Sequence, residues 1–219
     1  MKVSRFPVLY RYLDEKYVDL FFKLGILRIS SFEQFKKHKD EARLDIQEGR
    51  AKLIGNCCDS NVRVEIGFGI SNCFVLCASL TKSQDLLNVF QTDSCFEIVD
   101  LPNFIAAITN AMRRMHYIPL NCWGGACCYK PTREIFKNIY QADVDQIRID
   151  DKNHTMDFSA LFGLGAKIGW PDILFLKSNE YSKQHEYRIA WDIGRQNIPD
   201  HIDLYVPEAT KFCKKVNVF

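Results

Sequence analysis

An arginine at position 11, alternating hydroxyls at 79, 81 and 83, and a glutamine–glutamate pair at 184 and 186 are the residues of this chain best suited to chemistry. Arg11 sits in "LYRY", and a planar guanidinium fork can grip a phosphate through two parallel hydrogen bonds. Ser79, Thr81 and Ser83 alternate in "CASLTKS", so on an extended segment they share one face and can hold ribose or amide groups. Glu186 opens "EYRI", and a carboxylate facing a sugar stabilises an oxocarbenium-like centre. Gln184 lies two residues before it and points the same way on a strand. Plainer readings stand beside these. Arg11 can be a strand arginine paired with an acid, and Ser79 and Thr81 can be ordinary positions of a half-exposed strand. Glu186 and Arg188 can form an ion pair on a solvated face.

The elements that must position these residues are readable from periodicity. "PVLYRYL" (7–13) predicts a strand. A helix follows from an Asp14 cap through the apolar positions Tyr17, Val18, Phe21, Phe22 and Leu24 to Gly25. "ILRIS" (26–30) predicts a second strand. After it Ser31 suits a cap, and Phe32 and Phe35 suit anchors for the charged stretch up to Arg50. Further strands are expected at 62–68, 73–80, 94–100 and 172–177, with helices at 83–90 and from Leu101 onward, where Pro102 suits the first turn. "IPLNCWGGACCYK" predicts a glycine-broken strand or a hairpin, with Gly124 and Gly125 marking a bulge or turn. "YSKQHEYRIAW" (181–191) predicts a strand with Tyr187, Ile189 and Trp191 on one face and Glu186, Arg188 and Ala190 on the other. "HIDLYV" reads as a final strand. Strands outnumber helices without βαβ alternation, and neither G-x-G-x-x-G nor a P-loop occurs, so an α+β fold in a single domain over 1–219 is expected rather than a doubly wound one.

Composition narrows the class. Hydrophobic residues make up 47% and aromatic residues 13% of 219, enough for a sizeable core. The formal charge of +2, from 29 basic and 27 acidic residues, announces no general affinity for nucleic acid and leaves only local basic patches to supply it. No apolar run approaches the roughly 18 residues of a membrane span, and no signal peptide is expected at the N-terminus. The nine cysteines contain no C-x-x-C pair, which argues against zinc and for free thiols in a reducing cytoplasm.

The order Arg11, then the hydroxyls of "SLTKS", then Q-x-E resembles the arginine, S-T-S and Q-x-E pattern of the mono-ADP-ribosyltransferases, with Ser79 and Thr81 matching the first two positions of S-T-S and Ser83 falling two residues late. The beginning, "LYRY" followed by a helix and "GILRIS", and the end, "FLKSNEYSKQHEYRI", also resemble a family of uncharacterised bacterial proteins with that fold. Some relatives belong to anti-phage toxin–antitoxin systems that modify nucleic acid; where some of them carry histidine, this chain has Arg11. The resemblance implies a split, mostly antiparallel sheet with peripheral helices, and NAD as a substrate. Arg11, Ser79 and Thr81 would hold the dinucleotide. Glu186 would be catalytic, with Gln184 engaging the acceptor beside it, and the loop 177–183 would meet the acceptor through Tyr181. The implied activity is an ADP-ribosyltransferase toxin or defence effector acting on a macromolecule, RNA or DNA included, with an antitoxin protein as partner. An NAD glycohydrolase and a catalytically inactive nucleotide- or protein-binding module are the alternatives.

Two charged stretches remain. Asp40, Glu41, Arg43, Asp45 and Glu48 have spacings that suit metal or a cationic acceptor, and equally suit ion pairs on a solvated helix. Arg113 and Arg114, with Lys130 and Arg133 and the rings of Tyr117, Trp123 and Tyr129, could form a surface for an unpaired nucleic-acid acceptor, or the arginines could simply end an amphipathic helix.

Overall fold

The computed structural model describes residues 6–37, 46–147, 149–150, 155–156, 158–194 and 197–216. In chain order its strands are β1 (Leu9–Leu13), β2 (Ile26–Ser31), β3 (Arg50–Cys57), β4 (Arg63–Gly69), β5 (Cys73–Ser79), β6 (Ser94–Ile98), β7 (Asn121–Ala126), β8 (Cys128–Lys130), β9 (Glu134–Ile139), β10 (Ile149–Asp150), β11 (Thr155–Met156), β12 (Leu176–Ser178), β13 (Glu186–Asp192), β14 (His201–Tyr205) and β15 (Cys213–Lys215). The helices are α1 (Glu15–Leu24), α2 (Phe32–Lys36), α3 (Gln84–Phe90), α4 (Leu101–Arg114), α5 (Gln141–Val144) and α6 (Phe158–Gly169). This is a mixed fold with a mostly antiparallel sheet.

Eight strands form the main sheet, in which β14, β2, β5, β1, β6 and β15 follow one another and β13 joins β5 to β7. One apolar core fills the face beneath α1 and α4, where Val18, Phe21, Phe104, Ile108 and Met112 meet Phe74, Leu76, Ile189 and Trp191. A second core lies on the opposite face, where Val75 and Ala190 meet Leu53, Ile135, Leu164 and Ile168. Those residues come from α6 and a smaller sheet in which β3 lies between β4 and β9. Alternation along β5 and β13 thus assigns successive side chains to two different cores.

Local signals explain much of this. α1 starts at Asp14 and stops at Gly25 in the left-handed region, and Pro102 sits in the first turn of α4. Ser83 caps α3 by accepting a hydrogen bond from the Asp85 amide at 3.1 Å.

Three segments depart from the sequence reading. Gly124 and Gly125 make neither bulge nor turn: both lie inside β7, paired with Ile189 and Arg188. They are small because rings occupy the space, a Cβ at Gly124 meeting the Tyr187 hydroxyl at 3.0 Å and one at Gly125 meeting the Phe175 ring at 3.2 Å. Residues 172–175 form a 3₁₀ turn, and the strand is confined to Leu176–Ser178. The strand expected over 181–191 begins only at Glu186; Asn179–Gln184 is another 3₁₀ turn, and His185 turns the chain with φ 45°.

Candidate functional site

The main sheet is split at β5. One edge of β5 pairs along its length with β13, from Glu186 opposite Ser79 to Asp192 opposite Cys73. The other edge is shared: Ser79 pairs with Tyr10 of β1, while Val75 and Phe74 pair with Ser30 and Ser31 of β2. On this edge, between these contacts, Cys77 meets neither β1 nor β2 in register, and Arg11 Nη1 donates to its carbonyl oxygen. A cavity of about 310 Å³ occupies the split, lined by residues of β1, β2 and β5 and by Glu48, Lys177, Gln184, Glu186 and Arg188. Its lining also reaches Leu20 and Leu27 on the α1 side and the rings of Tyr10, Tyr12, Tyr17, Phe35 and Phe90. That volume lies at the small end of ligand pockets, which run from about 300 to 1,000 Å³.

The wall beneath the split is ionic. Arg188 Nε donates to Glu186 Oε1 at 2.6 Å, and the far side of its guanidinium holds both oxygens of Glu48 at 2.8 and 2.9 Å. Lys177 Nζ donates to Glu186 Oε2 and, at 2.7 Å, to Gln184 Oε1. All four charged side chains are at most 8% exposed. Burial pushes the Glu186 carboxyl up, but the Arg188 and Lys177 charges with their hydrogen bonds outweigh it and hold the group well below the usual carboxylate range. Burial likewise pulls the Lys177 ammonium down, and the Glu186 charge overcomes it and raises it. Glu186 therefore stays ionised although buried.

The main chain around Glu186 is fixed as well. Its N–H donates to the Tyr129 hydroxyl oxygen at 2.7 Å. Its carbonyl accepts from the Cys127 amide at 2.8 Å, and the preceding His185 carbonyl accepts from the Leu80 amide at 2.9 Å.

Arg11, Ser79, Gln184 and Glu186 thus meet at one cavity. The remaining candidates lie elsewhere. The Ser79 oxygen accepts from the Thr81 amide at 3.1 Å, but Thr81 is past the end of β5, where its carbonyl accepts from Tyr12 at 3.0 Å. Ser83 is the α3 cap, so the three hydroxyls share no strand face. Gln184 reaches the site from a turn, not from the strand, and Tyr181 stacks its ring 4.8 Å from Lys177 Nζ outside the cavity lining. Arg113 and Arg114 end α4, which packs on the sheet face opposite to the Glu186 carboxyl. Arg114 pairs with Glu208 at 2.9 Å. The rings expected beside them are dispersed: Tyr117 packs on Phe74, Trp123 on Trp170, and Tyr129 on Glu186.

The sequence reading named Tyr129 as a stacking ring, Lys177 only within the loop 177–183 and Glu48 within a charged stretch, and missed the part each plays around Glu186 and Arg188. Asp40, Glu41, Arg43 and Asp45, the companions of Glu48 in the charged stretch, lie outside the described residues. Glu48 is not on a solvated helix. It sits in a turn closed by Gly49 at φ 68°, where a Cβ would crowd the Phe32 ring and the Ile70 carbonyl at 3.2 Å, and the turn aims the carboxylate inward. Arg188 carried a signal: it alternates with Glu186 and Ala190, and the second core that buries Ala190 buries it too. Among the described residues no group of three or more His, Cys, Asp or Glu side chains is arranged to hold a metal ion, and no helix is long and apolar enough to cross a membrane. No family model, no curated protein and no solved structure matches the chain.

Proposed function

We propose that this chain is an NAD-dependent mono-ADP-ribosyltransferase acting on a macromolecule, RNA or DNA among the candidate acceptors, as a cytoplasmic toxin or defence effector held in check by an antitoxin protein. The observation that carries the reading is a buried glutamate kept ionised at the wall of a cavity that opens where the sheet splits. NAD supplies the ADP-ribosyl group: the bond from its ribose carbon to nicotinamide breaks, nicotinamide leaves, and the acceptor's nucleophile bonds that carbon and gives up its proton to solvent. Glu186 presents fixed negative charge where positive charge develops on the ribose, a form of stabilisation worth most in a water-poor site. Arg11, which lines the cavity at the split, would grip the pyrophosphate, and the tyrosine and phenylalanine rings would supply flat surfaces for a base. Gln184, fixed by Lys177, offers an amide beside the carboxylate for the acceptor.

Nicotinamide release by the purified chain, with NAD labelled in the adenylate and with RNA, DNA or protein present, tests the reading. Label on a macromolecule supports transfer, and nicotinamide without label makes the chain a glycohydrolase that uses water.

A second reading rests on a specific observation: both Glu186 oxygens already accept hydrogen bonds, from Arg188 and Lys177. In that reading the cluster is structural and the cavity binds a nucleotide without cleaving it. Calorimetry then detects NAD binding while no nicotinamide appears.

A further inference from the structure

Strands β8 and β12 form a two-stranded parallel ribbon of three residue pairs, with Tyr129 opposite Lys177 at its centre. Both central side chains reach the same residue. Lys177 holds the Glu186 carboxylate, and the Tyr129 oxygen accepts the Glu186 N–H at 2.7 Å. On the β7 side of β13 the Glu186 carbonyl accepts from the Cys127 amide at 2.8 Å, but the Glu186 N–H goes to the Tyr129 hydroxyl instead of a strand carbonyl. Without Tyr129 this amide would be left without its acceptor in a region where Glu186 is 4% exposed.

We infer that Tyr129 is a positioning residue for Glu186, fixing through the main chain the direction in which the carboxylate faces the cavity; the inference rests on the catalytic reading of Glu186. The division of labour is specific. Lys177 and Arg188 determine charge and grip the two carboxylate oxygens. Tyr129 determines where the Cα of Glu186 stands. A side chain held at its tip but loose at its base can pivot, and errors of about 1 Å at a reacting group cost up to about a hundredfold in rate. The phenol is suited to the task because it stays neutral: burial foremost pushes its ionisation up to about 12, so its lone pairs accept without bringing a second negative charge beside Glu186.

Tyr129→Phe keeps the ring and removes only the acceptor. Two measurements test the inference. Hydrogen exchange of the Glu186 amide, followed by NMR in the full chain, is expected to accelerate about tenfold or more, the loss of one hydrogen bond at about 1.4 kcal/mol per factor of ten. Nicotinamide release is expected to lose about tenfold in kcat with KM for NAD unchanged, and the same substitution in a Glu186→Gln background is expected to change kcat less than about twofold, because coupled groups are not additive. An unchanged Glu186 exchange rate overturns the inference whatever the reaction. An equal loss of kcat in both backgrounds also overturns it, since a general loss of stability multiplies through. If the wild-type chain binds NAD but releases no nicotinamide, the catalytic reading of Glu186 fails and the positioning role fails with it, while accelerated exchange would still register the amide contact.

Discussion

Along β13, Tyr187, Ile189 and Trp191 point into an apolar core beneath α4, whereas Glu186 and Arg188 point the other way, into a cluster of four buried charges beside a cavity. The two faces are about equally shielded from water but gain stability differently. The apolar face gains free energy in proportion to area removed from water. The ionic face must first lose the hydration of each charge, which costs several kcal/mol per ion, and recovers it only through complete pairing. A well-packed apolar replacement would hold the second core at least as well. Two carboxylates, a lysine and an arginine at this place are therefore better accounted for by the cavity they line than by stability.

The largest expected effect follows from that asymmetry. Arg188→Met leaves Glu48 and Glu186 buried without their shared partner and is expected to cost about 3–5 kcal/mol in urea unfolding. Ile189→Val, one residue along and on the other face, is expected to cost about 0.5–1.5 kcal/mol and to leave nicotinamide release unchanged. Equal losses at the two positions would dissolve the distinction between the faces.

Glu186→Gln keeps shape and removes charge. The expected loss in nicotinamide release is about a hundredfold, the scale of one electrostatic stabiliser; full activity would assign the cluster to structure alone. Its pH signature has a definite sign. The folded-state carboxyl is held well below its ordinary value, about 4.3 in the unfolded chain. Its contribution to stability is therefore fully present above that value and lost as pH falls through the folded-state one. The stability advantage of the native chain over Glu186→Gln is expected to be flat at neutral pH and to shrink from about pH 5 downward, as acid unfolding followed by circular dichroism would show.

Arg11 tests the opening of the split. Arg11→Ala removes the guanidinium from the cavity wall and is expected to weaken NAD binding by about 1.5–3 kcal/mol, the worth of a hydrogen bond to a charged group. Calorimetry showing unchanged affinity would move the dinucleotide elsewhere. The same variant also exposes the Cys77 carbonyl, so an unfolding curve must accompany the titration.

The two faces also differ in how far they could be read beforehand. The apolar face was legible: Tyr187, Ile189 and Trp191 alternate, and Asp14 and Gly25 at the ends of α1 and Pro102 in the first turn of α4 delimit the helices packed on that face. Of the ionic face, only the members on or next to β13 could be read. Glu186 and Arg188 share a strand, but Glu48 is 140 residues from its guanidinium partner and arrives by a turn that local spacing does not encode. Lys177 meets Glu186 because β12 pairs with β8, a parallel contact between segments about fifty residues apart that periodicity cannot register. Gln184 was expected at the site for the wrong local reason, since it arrives on a 3₁₀ turn rather than on the strand.

The smallest effect is expected where a surface patch was read from composition. Arg113 and Arg114 end α4, on the layer behind the apolar face, and Arg114 is already engaged by Glu208 in a pair whose members are 54% and 38% exposed. Exposed pairs of this kind contribute about 0–1 kcal/mol. The carboxylate of Glu186 faces the opposite side of the sheet, so an acceptor bound at the α4 end would have to reach around the sheet edge to meet it. Arg113→Ala with Arg114→Ala is accordingly expected to leave nicotinamide release within about twofold, stability within about 1 kcal/mol, and transfer of label to RNA or DNA unchanged along with its salt dependence. A fall of more than about tenfold in transfer alone, with a flatter salt slope, would show instead that the back of the sheet takes part in holding the acceptor, and that the ionic face does not meet its substrate unaided.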